Sequence, residues 1–166
     1  MKNLLCLIAV TIFSFGCASV PSTPDPLNPL ATHFQPDAGQ ATLYIIRQMD
    51  SAGTGTYLRS LLDGNSLGLL SVGAYQSIRV TPGNHTLAIK VSADELETIP
   101  PGSFNNDSEV KFKAQAGSNY FFYASLRRNG PQPGLYLWGI ANLEGQKAVA
   151  LSHYASGEDA LTPPSK

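Results

Sequence analysis

Three histidines, a pair of close glutamates and a Gly-Thr repeat are the groups in this 166-residue chain whose types suit catalysis or metal binding. His33, His85 and His153 lie far apart, and none stands in an H-x-x-x-H or H-E-x-x-H arrangement, so no metal and no cofactor is expected. His85 follows a Pro-Gly turn on the same parity as Leu87, which suits a hydrogen-bonded structural histidine better than a catalytic one. Glu95 and Glu97 have the types of a glycosidase acid pair, but with Asp94 they fall in a stretch that reads as a loop of solvated charges. Gly53-Thr54-Gly55-Thr56 lacks the third glycine and the Gly-Lys-Ser/Thr ending of a phosphate loop, and no G-x-S-x-G elbow occurs. No catalytic residues are assigned, and the chain is not expected to be an enzyme.

Aromatic residues offer a different chemistry, that of binding. Tyr120, Phe121, Phe122 and Tyr123 occupy both faces of one segment, Tyr136 and Trp138 share one face of the next, and Arg127 and Arg128 lie between. If exposed together, Arg127, Arg128, Tyr136 and Trp138 form a platform for glycan stacking or for a protein hot spot. The alternative, which the pattern favours, is that both segments are central strands with Trp138 as a core anchor.

The elements that would position these groups read as β. Ala41 to Gln48 carries the apolar run Leu43-Tyr44-Ile45-Ile46 of a strand covered on both faces. Tyr57 to Leu62 and Leu67 to Leu70 flank Asp63-Gly64-Asn65, a hairpin signal in which Gly64 and Asn65 tolerate positive φ. Tyr75 to Val80 runs into the turn Thr81-Pro82-Gly83-Asn84. His85 to Ser92 alternates Leu87, Ile89 and Val91 against polar neighbours, and Ser108 to Gln115 sets Val110, Phe112 and Ala114 inward against Glu109, Lys111 and Lys113. Tyr120 to Arg127 and Leu135 to Ile140 complete the set. About seven to eight short strands at this spacing predict an all-β, antiparallel β-sandwich. Leu143 to Tyr154 reads as a short C-terminal helix with Leu143, Ala150, Leu151 and Tyr154 on one face, or with Ala148 to Leu151 as a last strand.

Upstream of the strands the chain has another character. Lys2, the apolar run Leu4 to Phe15 and the small residues that follow have the three parts of a secretory signal, and the run is too short to span a bilayer. Ser14-Phe15-Gly16-Cys17 resembles a lipobox, with Gly16 and Cys17 in place but Ser14 and Phe15 departing from the usual Leu and small residue. The resemblance implies cleavage before Cys17 and its acylation, palmitate included. A cut after Ala18, giving a soluble product, is the alternative. Ala18 in place of Asp after the cysteine implies sorting to the outer membrane, facing the periplasm.

Of the two cysteines, only Cys17 outlasts removal of the leader, so no disulfide is expected. From Ala18 to Gln40 the chain is rich in proline and reads as a tether, the alternative being that part of it packs along the domain as an irregular N-terminal arm through Leu27, Leu30 and Phe34. Loss of Lys2 takes the formal charge from −1 to about −2. With no Lys/Arg stripe in the sequence, nucleic acid is not an expected partner, nor is anionic lipid by charge.

Tyr44-Ile45-Ile46-Arg47, Asp63-Gly64 with Gly68, Val80-Thr81-Pro82-Gly83-Asn84-His85 and Ala116-Gly117-Ser118-Asn119-Tyr120-Phe121 stand in this order and together cover most of Ala41 to Ile140. In order and spacing they resemble a family of small bacterial envelope lipoproteins with a domain of unknown function. That resemblance implies a PEGA-like or transthyretin-like β-sandwich and brings no activity with it.

The expected organisation is therefore a lipoprotein signal peptide over 1–16, a lipid-anchored Pro-rich tether over 17–40, a β-sandwich over 41–156 and a disordered tail over 157–166. The expected function is a lipid-anchored module for binding or scaffolding, held to the membrane through acylated Cys17, with an envelope protein or a glycan as partner. A soluble periplasmic enzyme or inhibitor using the 93–106 loop is the alternative.

Overall fold

The computed structural model describes residues 34–35, 38–49, 55–92, 105–127 and 133–155. The signal-like segment, Cys17, most of the Pro-rich stretch, Asp94, Glu95, Glu97, Arg128 and the C-terminal tail lie outside the described residues. Among the described residues, nine strands and one helix follow in order: β1 (Ala41–Arg47), β2 (Leu58–Leu62), β3 (Asn65–Leu70), β4 (Ala74–Val80), β5 (Gly83–Val91), β6 (Asp107–Ala114), β7 (Asn119–Arg127), β8 (Gly134–Ile140), α1 (Asn142–Ala150) and β9 (His153–Tyr154). They form two sheets, β8-β7-β1-β4-β9 and β3-β2-β5-β6, packed face to face as an all-β sandwich.

Strand β1 explains the layering. All seven of its residues are buried. Leu43 and Ile45 point between the sheets, where they meet Leu58, Leu70, Leu87, Ile89, Phe122, Leu126 and Leu135. Tyr44 and Ile46 point the other way and enter a second cluster with Tyr75, Phe121, Tyr123 and Val149. An apolar run without polar alternation has this meaning: each face of the sheet is covered. Each large side chain so buried contributes about 1.5 to 3 kcal/mol.

Not every pairing is antiparallel. β1 lies parallel to β7, with Leu43 opposite Tyr120 and Ile45 opposite Phe122, and β4 lies parallel to β9. Parallel neighbours need a long crossover, and here the excursion through β2 to β6 supplies it for β1 and β7.

The β2–β3 turn puts positive φ on Asp63 (50°) and Gly64 (82°), while Asn65 already belongs to β3. This corrects the expectation that Asn65 carries the left-handed position. Two successive positive-φ residues match the right-handed twist of the strands they join, and Asp tolerates that region better than most side chains.

The helix also differs from expectation. Leu143 and Leu151 are 66% and 89% exposed, and the inward residues are Gly145 and Val149. The helix ends at Ala150, and His153–Tyr154 turns away to pair with Ala74 and Tyr75. The last strand is thus β9 rather than Ala148 to Leu151. Gly145 is required, not merely tolerated, because a Cβ there would overlap the ring of Phe121. Tyr44 stacks on that same ring at 4.7 Å, and Phe34 tilts against both at 5.5 and 5.9 Å. The Asn119 amide donates to the Phe34 carbonyl at 2.7 Å, so the chain is held to the sandwich at Phe34. Leu27 and Leu30 lie outside the described residues.

Gly145→Ala should lower stability to urea by a net 1 to 2 kcal/mol, roughly, since overpacking Phe121 outweighs the ~1 kcal/mol that alanine gains inside a helix. An unchanged or raised unfolding midpoint would show that α1 is not held this close to the sheet.

Candidate functional site

The first site stands at the margin of the five-stranded sheet. β7 is central and buried from Phe121 through Leu126, whereas β8 is the edge strand. Antiparallel register sets Tyr123 opposite Trp138 and Ser125 opposite Tyr136. From the exposed end of β7, the Arg127 guanidinium lies 4.7 Å from the centre of the Tyr136 ring and 6.0 Å from Trp138. Trp138 in turn meets the Tyr123 ring edge-on at 5.7 Å. Three of the four expected platform residues are thereby brought together, and Arg128 lies outside the described residues.

Trp138 is not the anchor of the inter-sheet core, and β8 is not central. Its inward positions are Leu135 and Leu137, while half-buried Trp138 packs against the outer cluster. Helix α1 lies over β7 and β1 and leaves this margin less covered. The arginine over these rings is stabilised by about 0.5 to 1 kcal/mol at such a site, and a guanidinium that stacks by its face retains a planar N–H fork suited to a carboxylate or phosphate. Along the edge itself, Asn105 bridges Gly134, and Leu135 donates to its carbonyl at 2.9 Å, which closes the start of β8 to another strand.

His85 lies at the start of β5 with both ring nitrogens engaged. Nδ1 is 2.7 Å from Asp63 Oδ2, and Nε2 is 2.8 Å from the Thr81 carbonyl oxygen. Both neighbours are acceptors, so both bonds form only when the ring carries two protons. The bond to Asp63, then the one to Thr81, raises the His85 pKa above its ordinary 6.5. Asp63 is held below its ordinary value by the Thr86 backbone N–H and then by His85. The group ties the β2–β3 turn to the β4–β5 turn, a structural role in accord with its inward parity.

The other expected chemistry disperses. His153 Nε2 sits 3.3 Å from the Ser71 hydroxyl in the strap after α1. Of the Gly-Thr repeat, Thr56 is buried and its carbonyl accepts from Arg47. Arg47 was not singled out by the sequence as a special group, yet it is fully buried and also donates to the Leu70 carbonyl at 3.0 Å. Its parity with Leu43 and Ile45 is the signal that places it inward. Nearby, Ser60 donates to Gln76 at 2.5 Å and Gln76 to the Leu69 carbonyl at 3.1 Å, a polar thread inside the sandwich. Among the described residues, no three His, Cys, Asp or Glu side chains gather as metal ligands, and no helix is long and apolar enough to cross a membrane.

The outward lysines of β6 gain neighbours that only strand register supplies. The outer face of β3-β2-β5-β6 carries Arg59, Lys90, Lys111 and Lys113 from three strands, with Asp107 opposite Lys90 and Glu109 beside Lys111 on the same face, so positive charge is concentrated only at Lys111 and Lys113.

Two outcomes follow. The His85–Asp63 tie adds stability that is fully present below the unfolded histidine pKa and is lost as pH rises through the raised folded value. The Asp63 contribution is present above its unfolded pKa and is lost as pH falls through the lowered folded value. Asp63→Asn should bring the His85 pKa, read from its ring resonances, back toward 6.5, and an unmoved value would remove Asp63 as the cause. Trp138 is the single tryptophan, so its fluorescence should be quenched by acrylamide to an intermediate degree and more strongly in Arg127→Ala. Complete shielding in both proteins would rule out the platform.

A scan of the sequence against protein-family models finds no match, and a search of curated proteins finds none.

Proposed function

We propose that this chain is a bacterial envelope lipoprotein, acylated on Cys17, whose sandwich is a binding module rather than a catalyst. The observation that supports binding is the stacking of Arg127 on Tyr136 beside half-buried Trp138, at a sheet margin that α1 leaves less covered. Planar rings offer faces to sugars or to a protein hot spot, and the guanidinium adds a fork for an anionic group. The lipobox-like Ser14-Phe15-Gly16-Cys17 supports anchoring, and the resemblance to small envelope lipoproteins supports the compartment.

Several acyl chains on one cysteine hold a domain far more firmly than one, at about 0.8 kcal/mol for each buried CH₂. Because Phe34 is docked, the spacer available to an anchor is at most the 17 residues from Cys17 to His33. A proline-rich chain of that length could reach at most about 50 Å at 3.1 Å per residue, less than the whole segment to Gln40 would allow. Tethering within that radius raises the effective concentration of the platform toward membrane-proximal partners without any new contact.

Expression of the wild type and of Cys17→Ala, followed by fractionation and mass measurement of the mature N-terminus, tests the anchor. The wild type should partition with membranes and carry acyl mass on Cys17, while the variant should be soluble. A soluble, unacylated wild type beginning at Ser19 would overturn the proposal.

A further inference from the structure

The outer face of the second sheet contains an open hollow. It has a volume of about 460 Å³ and is lined by Asn84, His85, Thr86, Lys111, Phe112 and Lys113. Register sets Asn84 opposite Lys113, His85 opposite Phe112, and Thr86 opposite Lys111. Strand alternation then separates the six residues into two groups. Phe112 packs toward the core and its ring meets that of His85 at 5.6 Å, so both rings lie on the inner side of the sheet and only the strand backbone at these two positions floors the hollow. Asn84, Thr86, Lys111 and Lys113 rise around it as the walls.

Those walls supply two ammonium groups, one amide and one hydroxyl. Lys111 and Lys113 are neighbours on one face of β6, two residues apart, and both are exposed. Among the described residues neither ammonium has a carboxylate within ion-pair distance, and Glu109 stands one step further along the same strand. Two adjacent cations beside neutral hydrogen-bonding groups are complementary to an anion that also carries hydroxyls. The chain as a whole has a net charge of −1, so this concentration of positive charge is local. Below the floor, the His85–Asp63 tie and the contacts of Phe112 with Tyr120 and Phe122, at 5.4 and 5.2 Å, keep the two strands from shifting.

We infer that this hollow binds an acidic saccharide, with Lys111 and Lys113 on its carboxylate and Asn84 and Thr86 on its hydroxyls. The site lies on the outer face of the second sheet, whereas the Arg127 platform and Phe34 belong to the outer face of the first. It therefore goes beyond the proposed function and depends neither on acylation nor on the platform.

The test uses the mature chain carrying Cys17→Ala, free of membranes, so that failure of the anchor has no bearing on it. Galacturonic acid trisaccharide is titrated against the ¹⁵N-labelled protein, with maltotriose as the neutral probe of equal length. The acidic trisaccharide should shift the amides of Asn84, Thr86, Lys111 and Lys113 saturably, and maltotriose should not. Removing both charge-assisted contacts in Lys111→Ala/Lys113→Ala should raise Kd about tenfold or more. Lys147→Ala, which deletes a cation on α1 instead, should leave it unchanged. Absence of saturable shifts, equal binding of maltotriose, or an unaltered Kd in the double variant would overturn the inference. Retained amide dispersion in the double variant shows that any loss comes from the site and not from unfolding.

Discussion

A strand that must be dry on both sides governs the rest of this molecule. β1 offers Leu43 and Ile45 to one side and Tyr44 and Ile46 to the other, and neither set can be left in water. The second sheet answers the first demand. The second is met by a thinner layer made of α1, Phe34 and the Tyr75–Tyr154 contact, in which the rings lie 5.5 Å apart. A layer so thin demands close approach, and this is why glycine stands at Gly145 over Phe121. It also decides what remains less covered. α1 lies chiefly over β7 and β1, so the aromatic residues of β8 become a margin instead of a core.

Polar groups drawn into so apolar an interior are held by specific partners. Arg47 lies at the end of β1 with its guanidinium on backbone carbonyls of two other segments, Thr56 and Leu70. A buried cation is expensive to desolvate, and carbonyl dipoles offset part of that cost. Ser60 and Gln76 exchange a hydrogen bond between the two sheets, fixing their relative register where Leu and Val alone would allow sliding. Burial acts on Tyr44 as well: its hydroxyl is pushed up to about 12, first by desolvation and then by Tyr75, so it stays neutral throughout the physiological range.

Local alternation was readable wherever one face of a strand is wet. Leu87, Ile89 and Val91 on β5 and Val110, Phe112 and Ala114 on β6 point inward as their spacing requires, and the first eight strands followed from the turns between them, while β9 did not. Failures began where small residues do the packing. Leu143 and Leu151 looked like the buried stripe of a helix, but the sheet beneath accepts only Gly145 and Val149, and no hydropathy pattern marks a glycine as an inward residue. Pairing between distant strands was equally hidden. The meeting of Arg127 with Tyr136 was suggested by proximity in sequence, yet its position at an edge depends on strand order, which periodicity does not encode. The same is true of Lys111, Lys113, Asn84 and Thr86, whose ring exists only because β5 and β6 align in one register.

The parallel pairing of β1 with β7 has a consequence for how the molecule comes into being. β1 emerges early, but its neighbour on one side begins only at Asn119, after the whole second sheet has passed. Until then Tyr44 and Ile46 have neither Phe121 nor α1 to cover them. Contacts so remote in sequence close late, because the entropy of the intervening loop must be overcome first, and folds dominated by them form in roughly milliseconds to seconds. A half-synthesised chain is therefore unable to lock into a stable domain, and it stays pliable for as long as its final third is missing.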